Sequence, residues 1–291
     1  FYIFTKHIIL IMKKIAFLLL LFLTTISVYC QGKEKIRGSK IVTITQQETK
    51  DFESLEVEDN LEIFLIRGDK SSIEIEADDN LHDAIKVDFS EKTLTLSTKK
   101  EISGAKKLSI RVTYSNDLKM VMANDEANIT ALSPIKLNDF TFKSAGYAKI
   151  HAYVETETFT LMADDKSKLE INLKASVATT IEMSKNASLK ALISTPKLTF
   201  DLYQKTTATI EGDVTDLKLR IDNDADFAGK NLISKNADLS IEGYADCSIQ
   251  VTTKALLSVG GNSETSLFGD PKNIEITKFT DKATIYKKTL K

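Results

Sequence analysis

The residues best equipped for chemistry in this chain are few, and they stand apart. Three histidines occur, His7, His82 and His151, with two cysteines, Cys30 and Cys247. No histidine has a cysteine or a second histidine at ligand spacing, so no metal site is expected. Gly260 and Gly261 are followed by neither a helical pattern nor the Lys-Ser/Thr pair of a phosphate-binding loop, so no cofactor site is expected either. A serine, histidine and acid triad assembles in space and stays open to any linear reading, although nothing in the spacing favours one. Cys247 lies in an alternating apolar run and reads as a packed thiol rather than a nucleophile. The expectation is a protein without catalytic residues.

Two acidic groups are candidates for binding. DNDAD places Asp222, Asp224 and Asp226 at alternate positions, like the opening of a calcium loop, but the required glycine and the distal glutamate are missing. Asp164 and Asp165 fall about one repeat after Tyr147, next to Lys166. Clustered carboxylates of this kind serve acid and base chemistry in polysaccharide-cleaving enzymes, and exposed tyrosines such as Tyr147, Tyr153, Tyr203 and Tyr244 can platform a sugar. The candidate surface set is therefore Tyr147, Asp164, Asp165, Asp222, Asp224, Asp226 and Tyr244. The competing reading is that all seven are ordinary solvated turn residues.

The elements that must position these side chains show in a recurrence of pattern rather than of letters. Ala127 and Ile129 are followed by Ala148 and Ile150, Ser167 and Leu169, Ala187 and Leu189, Ala208 and Ile210, Ala225 and Phe227, Ala245 and Cys247, Thr265 and Leu267, and Ala283 and Ile285. Upstream of six of them runs a second apolar pair: Phe140 and Phe142, Phe159 and Leu161, Thr179 and Ile181, Phe200 and Leu202, Leu219 and Ile221, Leu239 and Ile241. Residues two apart share one face of a strand, so each unit supplies two short strands with an apolar inner face. Such a unit cannot bury that face alone, and a period of about twenty residues belongs to stacked solenoids. An antiparallel sandwich is the alternative, but its loops vary in length and need not keep a small-then-large order. Pro134, Pro196 and Pro271 all fall between units, where a missing backbone donor does least harm.

Composition fits strands. The chain has 291 residues, 42% hydrophobic and 27% charged, with no tryptophan and three prolines. That is globular rather than disordered. Its formal net charge of -2 with interspersed acids and bases leaves no basic stripe for nucleic acid, which is excluded as a partner.

The first residues carry a targeting signal. From Met12 the chain reads MKKIAFLLLLFLTTISVYCQG, a basic start, a leucine-rich core and a polar exit. Residues 1–11 read as upstream sequence, residues 12–30 as the signal peptide, and residues 31–46 as an N-terminal extension. A membrane anchor over the whole apolar stretch is disfavoured by Lys13 and Lys14 in its middle, since a charge at the bilayer centre costs about 3 kcal/mol. Two readings of Cys30 stand: cleavage after it, or its own acylation, which would tie the protein to a membrane. Either way the chain is exported, and the remaining Cys247 has no partner for a disulfide.

Residues 47–115 alternate as strands with less regular spacing, and NLHDAI is the one short helical turn expected there. They read as a β-rich part of the same body, capping the solenoid over residues 116–291, whose open end would otherwise expose strand edges. The fold class expected is all-β, a single-stranded parallel β-solenoid of about nine ~20-residue repeats with an N-terminal β-rich capping region.

The order of these parts is the basis of a resemblance. The stretch FESLEVEDNLEIFLIRGDKSSIEIEADDNLHDAIKVDFSEKTLTLST, then KKLSIRVTYSNDLKMVMANDEANI, then small-residue turns such as KSAGYAKIHA and IEGYADCSI, resembles the DUF2807 family, the auto-transporter adhesin head GIN domain of Bacteroidetes. The family's Ser-Gly-Ala type turn is clear here only at Ala145 to Ala148 and Gly243 to Ala245, having drifted elsewhere to KSK, KNAS or NDAD. The resemblance implies a β-solenoid at the cell envelope and carries over neither ligand nor catalytic residue. The function expected is a non-enzymatic binding or adhesin-like module in the periplasm, at the outer membrane surface or outside the cell, with a glycan or a surface protein as partner. The alternatives are a carbohydrate-active enzyme on the same scaffold and a structural or stress-related envelope component.

Overall fold

The computed structural model describes residues 33–290 and, before them, Lys14 alone. Lys14 apart, residues 1–11, read from the sequence as upstream, and residues 12–30, read as a signal ending at Cys30, lie outside the described residues. The fold departs from chain order at one end and is a regular stack over the rest.

At the N-terminal end come β1 (Lys35–Arg37), β2 (Val42–Glu48), β3 (Ser54–Val57), β4 (Glu62–Arg67) and β5 (Ser72–Asp78). A 3₁₀ turn, Asp79–Ala84, covers the one helical stretch expected from the sequence, and β6 (Ile85–Ser90), β7 (Thr93–Thr98), β8 (Glu101–Ser103) and β9 (Leu108–Tyr114) follow. β3 and β4 make one coil, and β7 and β9 lie parallel to them as the coil beyond it. Along that outermost coil β6 pairs antiparallel to β7, β5 antiparallel to β9, and β2 antiparallel to β5. This end therefore carries antiparallel strands that depart from the parallel stack, and β2 and β6 form its outer edges. β1 and β8 form a separate two-stranded sheet.

A buried carboxylate fastens the cap. Asp78 accepts backbone N–H bonds from Lys40, Lys106 and Lys107 at 2.9–3.1 Å, tying the N-terminal arm and the β8–β9 connection to the end of β5. Burial works against its charge, yet these donors hold the carboxyl below the ordinary aspartate range.

On the other side of β3 and β4 stack β10 (Met120–Ala123) and β11 (Asn128–Ala131), and the solenoid runs on from there. It comprises β12 (Ile135–Lys136), β13 (Asp139–Ser144), β14 (Lys149–Ala163), β15 (Lys168–Met183), β16 (Ser188–Leu202), β17 (Thr207–Ile221), β18 (Asp226–Ile241), β19 (Asp246–Val259), β20 (Glu264–Phe268), β21 (Asn273–Phe279) and β22 (Thr284–Lys287). Every pairing between these successive coils is parallel. The result is a β-solenoid of about eight coils.

Each long strand serves two sides of a coil. In β14 the residues Ile150, Val154 and Thr156 are buried, then the alternation changes phase and Phe159, Leu161 and Ala163 are buried. The phase change marks a corner. Pro196 sits at that corner in β16, where Thr195 and Lys197 pair with the next coil and the proline between them does not.

The paired register corrects part of the expected alignment. On the first side the inward column runs Ile129, Ile150, Leu169, Leu189, Ala208, Phe227, Cys247, Thr265 and Ile285. Ala208 and Thr265 thus hold the larger-residue positions, and the small-residue column there is filled by the fully buried Thr206 and by Ser263. On the second side Phe142, Leu161, Ile181, Phe200, Leu219, Leu239 and Leu257 stack, so the later upstream pairs also move by two residues, to Leu198 and Phe200, Leu217 and Leu219, Ala237 and Leu239. A slip of two keeps every side chain on its face, so alternation alone cannot detect it.

Between the two sides the core is continuous and aromatic at its widest points. Phe142 meets Phe140 edge-on at 4.7 Å, and Phe200 from the second side meets Phe227 from the first at 5.4 Å and 89°.

Candidate binding surface

One corner of the solenoid is built from stacked left-handed residues. Asp125, Gly146, Asp165, Lys185, Gln204, Asn223, Gly243, Gly261 and Asp281 recur once per coil with φ between 56° and 80°. Each turn donates to the one before it: the N–H of Lys166 to the carbonyl of Gly146 at 2.8 Å, Asn186 to Asp165 at 2.7 Å, Tyr244 to Asn223 at 2.7 Å. Glycine holds this column where φ reaches 70–80° and a Cβ would strike the preceding turn, as at Gly146, whose Cβ would lie 2.6 Å from the Asp125 carbonyl oxygen. Aspartate, asparagine, lysine and glutamine hold it where φ lies nearer 60°.

Six of the seven candidate residues stand on this edge, but they do not converge. Tyr147 and Tyr244 occupy the same turn position five coils apart, which at about 4.8 Å per coil separates them by roughly 24 Å. Tyr244 and Tyr147 are both more than half exposed. Asp222 accepts the N–H of Asn223 at 2.7 Å, a local turn bond, and Asp224 follows one coil before Tyr244. Asp226 has already entered β18.

What does come together is an ionic knot around Lys185. Its ammonium donates to Asp164 at 2.8 Å and to Asp165 at 2.7 Å, Ser184 donates to Asp164 at 2.7 Å, and the N–H of Gly146 donates to Asp165 at 3.1 Å. Burial opposes the charge on Asp164, yet the bonds from Lys185 and Ser184 outweigh it and hold its carboxyl below the usual range. The bond from Lys185, then the one from Gly146, does the same for Asp165. The two carboxylates in turn raise the pKa of Lys185. One coil away Lys166 donates to the Tyr147 hydroxyl at 2.9 Å and lies 4.9 Å from its ring centre. Carboxylates held ionised in this way are suited to binding cations and hydroxyls, not to donating a proton.

Two shallow grooves lie on the stack, the first of them beside the edge. One, of about 370 Å³, carries Asp164 on its rim with Met162, Glu182 and Tyr203. The other, of about 450 Å³, lies on the outer face of the first side among His151, Tyr153, Glu170, Asn172, Lys190 and Glu211. There the His151 Nδ1 lies 3.3 Å from Glu170, a pair missed by the linear reading, which left His151 isolated. Adding one period of nineteen residues to 151 would have found it, since His151 and Glu170 are ladder partners.

Asp226 belongs to a different arrangement. Asp226, Asp246 and Glu264 are direct ladder partners on the outer face, three acids in successive coils. Burial, and then the charge of Asp246, raise the pKa of Asp226. A raised folded pKa means that the folded state favours the protonated acid, so its contribution to stability is present in acid and is lost as the pH rises through that pKa. Asp226→Asn is therefore expected to raise the melting temperature at pH 7 and to lose that advantage below the ordinary aspartate pKa of about 3.9. A melting curve series from pH 3 to pH 7 checks it, and equal shifts at both ends would refute the repulsion.

Cys247 is buried against this column's inner side, 3% exposed, and burial followed by the charges of Asp226 and Asp246 pushes its thiol pKa up. That is the environment of an inert thiol. Among the described residues no three His, Cys, Asp or Glu side chains are grouped to hold a metal ion.

The sequence of the stack decides the family. A family model described as "Putative auto-transporter adhesin, head GIN domain" matches residues 51–180 and again residues 171–271. The chain belongs to the DUF2807 family. No curated protein matches its sequence. The fold recurs among solved structures: a "putative adhesin" from Parabacteroides merdae superposes with a TM-score of 0.59 at 17% identity, covering 89% of this chain and 100% of that one. A second "putative adhesin", from Parabacteroides distasonis, gives 0.62 at 15% identity over 84% of this chain and 98% of that one. A "putative lipid binding protein" from the same species gives 0.61 at 14% identity over 89% and 100%. Identities this low carry the fold alone, and the fold they share with this DUF2807 chain is the stacked solenoid described above.

Proposed function

We propose that the chain is an exported, non-enzymatic binding module of the bacterial envelope, adhesin-like in its way of working. The observation that supports this most is the Lys185 knot and the columns around it. The polar side chains lie along an extended edge and two open grooves, with the Asp164 and Asp165 carboxylates held ionised by a lysine. Catalysis by a carboxylate pair needs one of the two kept protonated and both facing one enclosed space. An edge of repeated turns offers instead many weak contacts spread over tens of ångströms, the geometry by which solenoids bind extended partners. Family membership and the two relatives described as adhesins point the same way, and the leucine-rich segment after Met12 supports export.

A glycan array and a panel of surface proteins, probed with the purified chain beside polysaccharide-degradation assays, test the reading. Saturable binding without product formation is expected. Degradation of any polysaccharide, abolished by Asp164→Asn or Asp165→Asn with the melting temperature retained, would overturn it.

A further inference from the structure

The two ends of the solenoid are built differently. At the N-terminal end the antiparallel β2, β5 and β6 and the 3₁₀ turn follow the last parallel coil, with β2 and β6 each paired on one side only among the described residues. At the other end β21 pairs only with β19, and β22 only with β20, so both present a free strand edge among the described residues. All seven residues of β21 are exposed. Three of them, Ile274, Ile276 and Phe279, continue the columns of Ala255, Leu257 and Val259, which are each 0% exposed one coil earlier. Here the same inward positions are 45%, 53% and 56% exposed. The core is thus open in cross-section, beside two rows of unpaired backbone donors and acceptors.

We propose that this end face is a dimer interface, closed by the same face of a second copy of this chain about a two-fold axis across the solenoid. Two observations favour a second copy in that orientation. Because a two-fold reverses strand direction, β21 meets its own copy antiparallel, and its sequence NIEITKF is self-complementary when so paired. Glu275 falls opposite the partner copy's Lys278 twice over, and Ile274 falls opposite Phe279. A two-fold contact of this face with itself closes at two copies, whereas the free edges of β2 and β6 at the N-terminal end make head-to-tail growth the competing arrangement, which association beyond a dimer would show and which would overturn the proposal. Finally, an edge strand of seven residues spans about 23 Å, and with the facing sheet and outer side chains the end covers roughly 500 Å² per copy. The pair would bury about 1,000 Å² in all, the lower bound for a specific interface, which fits a reversible dimer of moderate affinity.

Sedimentation of the purified chain across a concentration series measures it directly. A monomer–dimer equilibrium is expected, with Ile276→Lys weakening the dimer by at least about tenfold in dissociation constant. Because Ile276 is already half exposed, that variant should melt close to the parent, and a thermal scan verifies that the fold is intact. Glu275→Lys should weaken the dimer as well, and Glu275→Lys with Lys278→Glu should restore it, a rescue that a merely sticky apolar end would not give. A chain that remains monomeric throughout, or dimerises with undiminished affinity as Ile276→Lys, overturns the proposal. So does a monomer that instead binds phosphatidylethanolamine–phosphatidylglycerol vesicles through this face, binding that Ile276→Lys removes.

Discussion

Ala187→Lys is expected to destabilise the protein by roughly 3–5 kcal/mol, the size of an uncompensated buried charge. Ala187 is fully buried in the small-residue column, between Ser167 and Thr206, where the chain enters β16 from the left-handed turn at Lys185. The column is small because the turns above and below approach closely through their backbone bonds, and extra side-chain volume has nowhere to go. Overpacking alone costs about 1–3 kcal/mol. A lysine adds an ammonium that can reach water only by distorting the turn. Its neighbour Asn186 is exposed, and Asn186→Lys should leave the melting temperature within a degree or so, as surface changes usually do. Thermal denaturation of the two variants side by side is the measurement. Similar melting temperatures would mean that the inward register at this corner is wrong.

Gly212→Ala should cost about 2–3 kcal/mol, at the upper end of what a strained backbone position stores. Gly212 has φ of 116°, a conformation essentially closed to residues with a side chain, and a Cβ there would stand 2.1 Å from the Ile193 carbonyl oxygen of the preceding coil. The residue lies just after a register irregularity between Thr209 and Glu211, where β17 has one residue fewer than its β18 partner. Gly104→Ala is the control: its φ of 56° is tolerated at about 1–2 kcal/mol, and the new Cβ meets nothing nearer than 3.5 Å. Chemical denaturation should therefore rank Gly212→Ala well below Gly104→Ala. Equal midpoints would show that the coil passes Ile193 differently.

Some of the candidate surface was legible in the linear chain and some was not. Tyr147, Asp164, Asp165 and Tyr244 were placed on turns correctly because glycine, asparagine and aspartate clusters mark them. Which of them meet is a matter of stacking. Asp164 and Asp165 gain Lys185 twenty-one and twenty residues on, and His151 gains Glu170 nineteen residues on, because coil length varies by a residue or two from one coil to the next. A fixed period misses such partners by one place, and on a strand one place is the opposite face.

By itself the sequence determined the class of fold, since alternating apolar residues with a period near twenty leave a chain little choice but to stack its units. It also determined where the turns lie, because left-handed backbone selects Gly, Asn and Asp. Only the tertiary structure decided the register of the coils around Ala208 and Thr265, where a two-residue slip keeps every face intact and packing against Phe227 and Cys247 settles the choice. It alone decided that β7 and β9 lie beyond β3 and β4 instead of after them. Local pattern makes a strand, but which edge it joins depends on which edges remain free once β5 and β6 have paired antiparallel. For the same reason only the folded chain reveals that one end of the stack carries antiparallel strands and the other a parallel coil whose inward positions are exposed.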